Sequence, residues 1–314
     1  MLGLIGRRLL VLLPLLMVIS FLVFSLILLI PGDPAVALAG DQPDPKRIAE
    51  IREMLGLDQP FFQRYLDWLG AVLQGDLGRS LFTDVPVLES LATRLPVTLS
   101  LAALAVVFAL LLGFAVGSLA ALRPGGLLDR FATVAASAGI AVPYFWVGMA
   151  LVSVFSLGLT WFPAVGYTAL SQDPVGWLHH LAIPAIALGL APAAAVARQA
   201  RSAMGTVLRG DYIRTARAKG LGPFHVVVKH GMKNAAVPVV TVLGTEAARL
   251  IGGTVVMEQL FALPGIGQLA YQAVFNRDFP VVQGVVMAAA VGVLLINLIV
   301  DVSYGYFNPR IRQT

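Results

Sequence analysis

Long uncharged runs recur along this sequence, and they constrain its fold more than any other feature. A hydrocarbon core about 30 Å thick takes roughly 20 apolar residues of helix. Residues 9–30 are 22 in a row without a charged side chain, 95–122 are 28, and 131–172 are 42. The last run is too long for one span, so its helix is placed near 131–158. Residues 181–197 are short and interrupted by Pro184 and Pro192, and 235–256 carry charge only at Glu246 and Arg249. Residues 279–300 complete a count of six spans. With 12% charged and 58% hydrophobic residues, against about a quarter charged in soluble domains, the chain is not a soluble enzyme or a disordered protein. It has no cysteine, which removes disulfides, thiolate chemistry and Cys-ligated zinc. The fold class is an all-α polytopic membrane protein.

The first run follows Arg7 and Arg8, and Ala37-Leu38-Ala39 resembles a cleavage site. A secretory signal has an apolar core of only about 7–15 residues, so this longer run reads as an uncleaved anchor. Lys and Arg in the loops set orientation. With the N-terminus inside, the cytoplasmic segments hold 14 of 22 basic residues, including Arg123, Arg130, Arg198, Arg201, Arg209, Arg310 and Arg312. Both termini are then cytoplasmic, and the net charge of +5 is a topogenic signal rather than a nucleic-acid footprint. The organisation is 1–30 for the N-terminus and first span, 31–94 for an exterior loop subdomain, and 95–314 for a five-helix core containing a cytoplasmic loop at 198–233.

Loop 31–94 is too long for a simple connector. Its residues 45–57 and 60–73 have amphipathic helical spacing, the second rich in aromatic residues (Phe61, Phe62, Tyr65, Trp68). Two readings stand: a cap over helix ends, or a docking surface for something delivered from outside. Loop 198–233 carries eight Lys or Arg against one acid, Asp211. Such a loop suits an anionic leaflet, yet its punctuation is more specific. Asp211 opens a short helix through Tyr212, Arg214, Thr215, Ala216, Arg217, Ala218 and Lys219. Gly220 supplies a stop and Gly222-Pro223 forbids continuation. Small alanines on its surface suit a groove on a partner.

Chemical signatures are sparse. No glycine is followed by lysine, so there is no phosphate-binding P-loop. His179-His180 is the only histidine pair and lacks an orienting acid. Glu246 and Arg249, three residues apart within a span, can pair; they are either a structural pair or a polar patch on an aqueous path, as intramembrane charges often are. Asn297 and Asp301 are weaker pathway candidates.

The stretch at 214–221, RTARAKGL, followed by His230, Asn234 and Pro238, resembles the cytoplasmic coupling motif of ATP-binding-cassette importer permeases, in the form found in the dipeptide/oligopeptide/nickel group. Arg214 and Thr215 stand where the general motif has Glu and Ala, as is usual within that group. Further similarity runs the whole chain: IPGDPA at 30–35, LGLDQP at 55–60, GDLGRS at 75–80, LPVTLSLA at 95–102, VPYFW at 142–146, WFPAVGY at 161–167, LPGIGQL at 263–269 and YGYFNPRIR at the C-terminus. The long first exterior loop points to the B-type subunit. The resemblance implies a type I importer permease fold of six helices in the bacterial inner membrane. It implies a paralogous permease partner, two ATPase subunits holding ATP and Mg, and an exterior solute-binding protein delivering peptide or a related small solute. It implies that Asp211, Tyr212 and 214–221 couple to the ATPases, and that this chain binds no cofactor and performs no covalent chemistry. An ion-coupled secondary transporter is the competing expectation.

Overall fold

The computed structural model describes residues 2–29, 33–39 and 44–307. The start of the IPGDPA stretch and the C-terminal Arg310 and Arg312 lie outside these. Among the described residues the structure is helical, with one isolated bridge between Arg79 and Pro86. Two compact units emerge: one from 97–263 with the described parts of 1–5 and 295–314, the other from 6–96 and 264–294.

In the second unit, α1 (Leu2–Ser25) runs into a tighter turn at Leu26–Leu29, followed by α2 (Pro34–Ala39), α3 (Pro45–Met54) and α4 (Phe61–Leu73). Asp44 caps α3 by accepting from the Lys46 N–H at 3.0 Å, with Pro45 in the first turn where its missing N–H costs nothing. The aromatic residues of α4 are packed rather than idle. Phe61, Tyr65 and Trp68 lie 5.4–5.7 Å from Phe24, and Ser20 shares a 2.9 Å hydrogen bond with the Tyr65 hydroxyl. Phe62 and Leu66 stay largely exposed, although the Phe62 ring stacks on Phe21 at 6.4 Å. The start of α5 (Val87–Leu122) and of α13 (Phe279–Phe307) join α12 (Ile266–Phe275) around Val87, Leu91, Ile266 and Val281.

The first unit is built on α8 (Pro174–Val207), the most buried of the long helices. Around it stand the rest of α5, α6 (Leu127–Ala141), α7 (Tyr144–Leu151, continued by a wider π-helical stretch Val152–Gly158) and α11 (Lys233–Leu260). Their shared core includes Leu101, Leu181, Leu188, Met257 and Phe261. Lipid tails are as apolar as leucine, so spans associate through close packing of small residues. Gly113 and Gly117, four apart on α5, face the Ala193 and Ala197 carbonyls so tightly that a Cβ at either would collide. Gly189 meets Ala105 in the same way.

Among the described residues, four helices are long and apolar enough to cross a membrane: α5, α8, the stretch Val226–Leu260 and Phe279–Val300. The third expected span, near 131–158, is not one helix. α6 and α7 are bent by 103° at Val142-Pro143, and counting the bent pair as one span gives five. Proline removes a donor and drives its predecessor out of the helical region; Val142 is extended at φ −85°, ψ 128°. The fourth expected span, by contrast, is continuous through Pro184 and Pro192. In the first run, Leu12–Leu28 is a shorter apolar helix, so the expected count of six is not confirmed by length and composition among the described residues.

Candidate functional site

The expected coupling segment forms α9 (Asp211–Ala218), followed by the single turn α10 (Pro223–His225) and a π-helical stretch, Val226–Met232, that leads into α11. Gly210 enters α9 in extended conformation, and Asp211 sets a carboxylate in the first turn, where the helix dipole favours it. Ile213 and Ala216, three residues apart, are buried and form a small apolar core with Val226. The other residues of α9 are exposed. A Tyr212 ring packs over Gly210, and the Asn234 amide reaches both the Tyr212 hydroxyl (3.4 Å) and the His230 carbonyl (2.8 Å).

The exit from α9 is a Schellman turn. The Gly220 N–H donates to the Arg217 carbonyl at 2.9 Å and the Leu221 N–H to the Ala216 carbonyl at 3.3 Å. Gly220 sits at φ +79° with nothing within 4 Å of a Cβ placed on it, so backbone conformation rather than crowding demands glycine.

α9 is thus clamped by one face and presents another: Tyr212, Arg214, Thr215, Arg217, Ala218 and Lys219, with Leu221 beyond. Asp211 pairs with Arg214 at 3.5 Å, both exposed, a tie that contributes little. Ala216 corrects the expectation that it lies on the outward surface; it is 8% exposed and belongs to the anchor. Phe224, missed in the sequence, is 81% exposed beside this face.

Glu246 and Arg249 do pair, at 3.1 Å, and the pair is open on one side: the arginine side chain is 71% exposed and the glutamate 17%. Asn297 is exposed on α13, one turn before Val300, which packs against Gly244 of α11. Asp301 has no described side chain. Trp161 is exposed, whereas the Trp177 indole N–H is buried and has no hydrogen-bond partner among the described residues. His180 Nδ1 lies 2.8 Å from the Gly176 carbonyl, and no cluster suited to a metal ion occurs among the described residues.

Two polar centres escaped the sequence. In the second unit, Asp278 is 5% exposed and accepts from the Ser80 hydroxyl at 2.5 Å and the Leu81 N–H at 3.1 Å. Ser80 in turn accepts from the Phe82 and Thr83 N–H groups. Residue 277 just before it is an arginine at φ +56°, ending α12 without glycine. Nearly 200 positions separate the partners, so no local pattern foretold them. In the first unit, Arg201 grips Asp129 through Nε and Nη2, and Asp129 also accepts the Gly125 N–H at 2.8 Å. Arg201 had counted only as one of many loop charges.

The chain resembles known proteins over its whole length. Residues 113–313 match the family described as binding-protein-dependent transport system inner membrane component, and residues 1–102 match the N-terminal region of such membrane components. A di/tripeptide transport system permease protein, DppB, of Pseudomonas aeruginosa is 43% identical over the whole chain and 99% of its own length. A glutathione transport system permease, GsiC, of Salmonella typhimurium is 42% identical over 99% of both chains. Among solved structures, an inward-facing MetNI methionine ABC transporter shares the fold, with TM-score 0.57, 19% identity, and coverage of 70% of this chain and 96% of that one. The chain is a non-catalytic permease subunit and belongs to the inner membrane components of binding-protein-dependent transport systems.

Proposed function

We propose that this chain forms one half of the pathway of an ATP-driven importer for small peptides, glutathione-like peptides included. The anchored, outward-facing α9 supports this reading most directly. Two ATPase subunits, carrying ATP and Mg, close beneath a pair of related permeases, and each closure pushes on an α9. The helix has no slack: Ile213 and Ala216 seat it on Val226, and the π-helical stretch continues without a break into α11. α11 packs along α8, so displacement of α9 passes into the centre of the bundle. Repetition of this stroke alternates access between the two sides. An exterior binding protein delivers the solute, and both termini face the cytoplasm, as the basic loops require.

Glu246, Arg249 and Asn297 are proposed to face the pathway. A carboxylate and a guanidinium on one helical face suit a solute that carries an ammonium and a carboxylate, the two ends of a peptide. The relatives' names support peptides as the solute class: di/tripeptide in one and glutathione in another.

The test is reconstitution with candidate ATPase, permease and binding-protein subunits, using dialanine and glutathione. Uptake that needs ATP and the binding protein and ignores ionophores is expected. Uptake that is abolished by an ionophore and indifferent to ATP would establish the ion-coupled alternative.

A further inference from the structure

The helix α4 carries more apolar surface than the chain itself covers. At about 100° per residue its side chains fall into three stripes. Phe61, Tyr65 and Trp68 form the stripe that packs on α1 through Phe24. Phe62, Leu66, Leu69 and Leu73 form a second stripe directly beside it; Phe62, Leu66 and Leu73 are 68%, 64% and 80% exposed. Gln63, Asp67 and Gln74 form the third, and all three are exposed. The two apolar stripes together make an arc of about 160°, wider than α1 covers. The charges of α4 are kept off this arc. Asp67 belongs to the polar stripe, and Arg64 folds back so that its Nε donates to the Leu55 carbonyl at 3.1 Å.

The surface of α1 shows what adjoins the second stripe. Among its described residues from Leu10 to Leu28, every exposed side chain is apolar, Met17, Val18, Phe21 and Leu22 included. In an inner-membrane component, a helix with such an outward surface faces acyl chains. The Phe62 ring stacks on Phe21 at 6.4 Å, so the second stripe of α4 continues that surface. The depth agrees. Phe21 and Phe24 stand roughly 8–14 Å before the helical run ends at Leu29, and one leaflet is about 15 Å of a hydrocarbon core about 30 Å thick. Polar groups at the contact are satisfied internally, as lipid surroundings require. The Ser20 hydroxyl donates to the Met17 carbonyl at 2.8 Å and shares its 2.9 Å bond with Tyr65.

We propose that α4 lies in the bilayer leaflet around the C-terminal half of α1. Phe62, Leu66, Leu69 and Leu73 sit among acyl chains, and Gln63, Asp67 and Gln74 face the headgroups. Helices with one polar and one apolar face rest in the membrane interface in this way. The contact gives the 31–94 subdomain a second tie to the membrane besides α1. A protein that docks and leaves would return the stripe to water at each release, a cost that acyl chains never impose. The proposal stands whichever solute is carried and whichever side of the membrane this leaflet faces.

The chain has no cysteine, so single cysteines are introduced without other changes. Leu66→Cys, Leu73→Cys and Asp67→Cys each receive a nitroxide label. The labelled chain is assembled with cysteine-free partner subunits in vesicles of phosphatidylethanolamine and phosphatidylglycerol. The readout is the ratio of two collision rates of the label: with oxygen, which concentrates among acyl chains, and with a water-soluble nickel chelate. The ratio at 66 and 73 should exceed that at 67 by roughly tenfold, as apolar against polar surroundings require. Nickel-dominated ratios at all three positions would put the stripe in water, open to a visiting protein, and overturn the proposal. Slow collision with both reagents at 66 and 73 would mean that a protein surface covers the stripe, and would overturn it equally. Phe62→Cys reads the same stripe independently if a leucine variant fails to assemble, a failure that the unfolding midpoint identifies.

Discussion

The charges around α9 and the charge at Asp278 are used in opposite ways. Asp278 is buried, and its carboxylate accepts a hydroxyl and a backbone N–H from the 80–81 turn. Arg214, Arg217 and Lys219 are exposed, and only Arg214 has an ion pair, a long one. A carboxylate that satisfies buried donors is structure; cations that satisfy nothing internal are free to meet a partner. The same contrast separates Arg201, locked on Asp129, from Arg217 two turns into α9.

The contrast breaks most visibly at Asp278. Asp278→Ala leaves the Ser80 hydroxyl and Leu81 N–H without their acceptor, which costs about 2–4 kcal/mol. A fall in the unfolding midpoint of the detergent-purified protein should show it. A neutral outcome would mean that the corner is not held by this carboxylate.

Ala216→Glu should come next. It forces a carboxylate between Ile213 and Val226, so it should loosen α9 and abolish coupling together, read as protease cleavage within 205–225. Cleavage unchanged from the parent would show that Ala216 does not anchor the helix. Gly220→Val places a β-branched residue at φ +79°, at a cost of about 1–2 kcal/mol. The bundle should survive while ATPase capture falls; normal capture would mean the turn tolerates a different exit.

How much of this was legible in the sequence depends on range. The punctuation of α9 was local: an acid at its start, glycine at its stop, proline after. It could be read because each residue acts on its own backbone. The two kinds of proline were misread for the opposite reason. Pro143 breaks a run that looked continuous, whereas Pro184 and Pro192 sit inside α8 because neighbouring helices enclose it and hold it straight enough to continue. The Gly113 and Gly117 spacing was visible but unread, since its meaning lies in the helix opposite. Asp278 and the Asp129–Arg201 grip depend on residues tens to hundreds of positions away, and no periodicity carries that information.

A smaller effect sharpens the distinction between exposed and buried charge. The Arg79 guanidinium, by hydrogen bond and then by charge, holds the Asp84 carboxyl below its ordinary range. A depressed carboxyl stabilises the 79–84 turn above the ordinary carboxylate range near 4, and this support is lost as pH falls through the lower folded value. Both groups are exposed, so Asp84→Asn at pH 7 should leave the unfolding midpoint almost unmoved. A large shift would place Asp84 with Asp278 rather than with the surface charges.

We propose that the outward face of α9 meets the ATPase subunits while its inward face only holds it in place. The direct measurement is a pull-down of the ATPase subunits, with substrate-stimulated ATP hydrolysis, on the double variant Arg217→Glu, Lys219→Glu. Both residues are exposed on α9 and its cap, so protein level and unfolding midpoint should stay within experimental scatter of the parent. Capture and stimulated hydrolysis should fall at least tenfold. Full capture and full stimulation in a normally folded variant would contradict it.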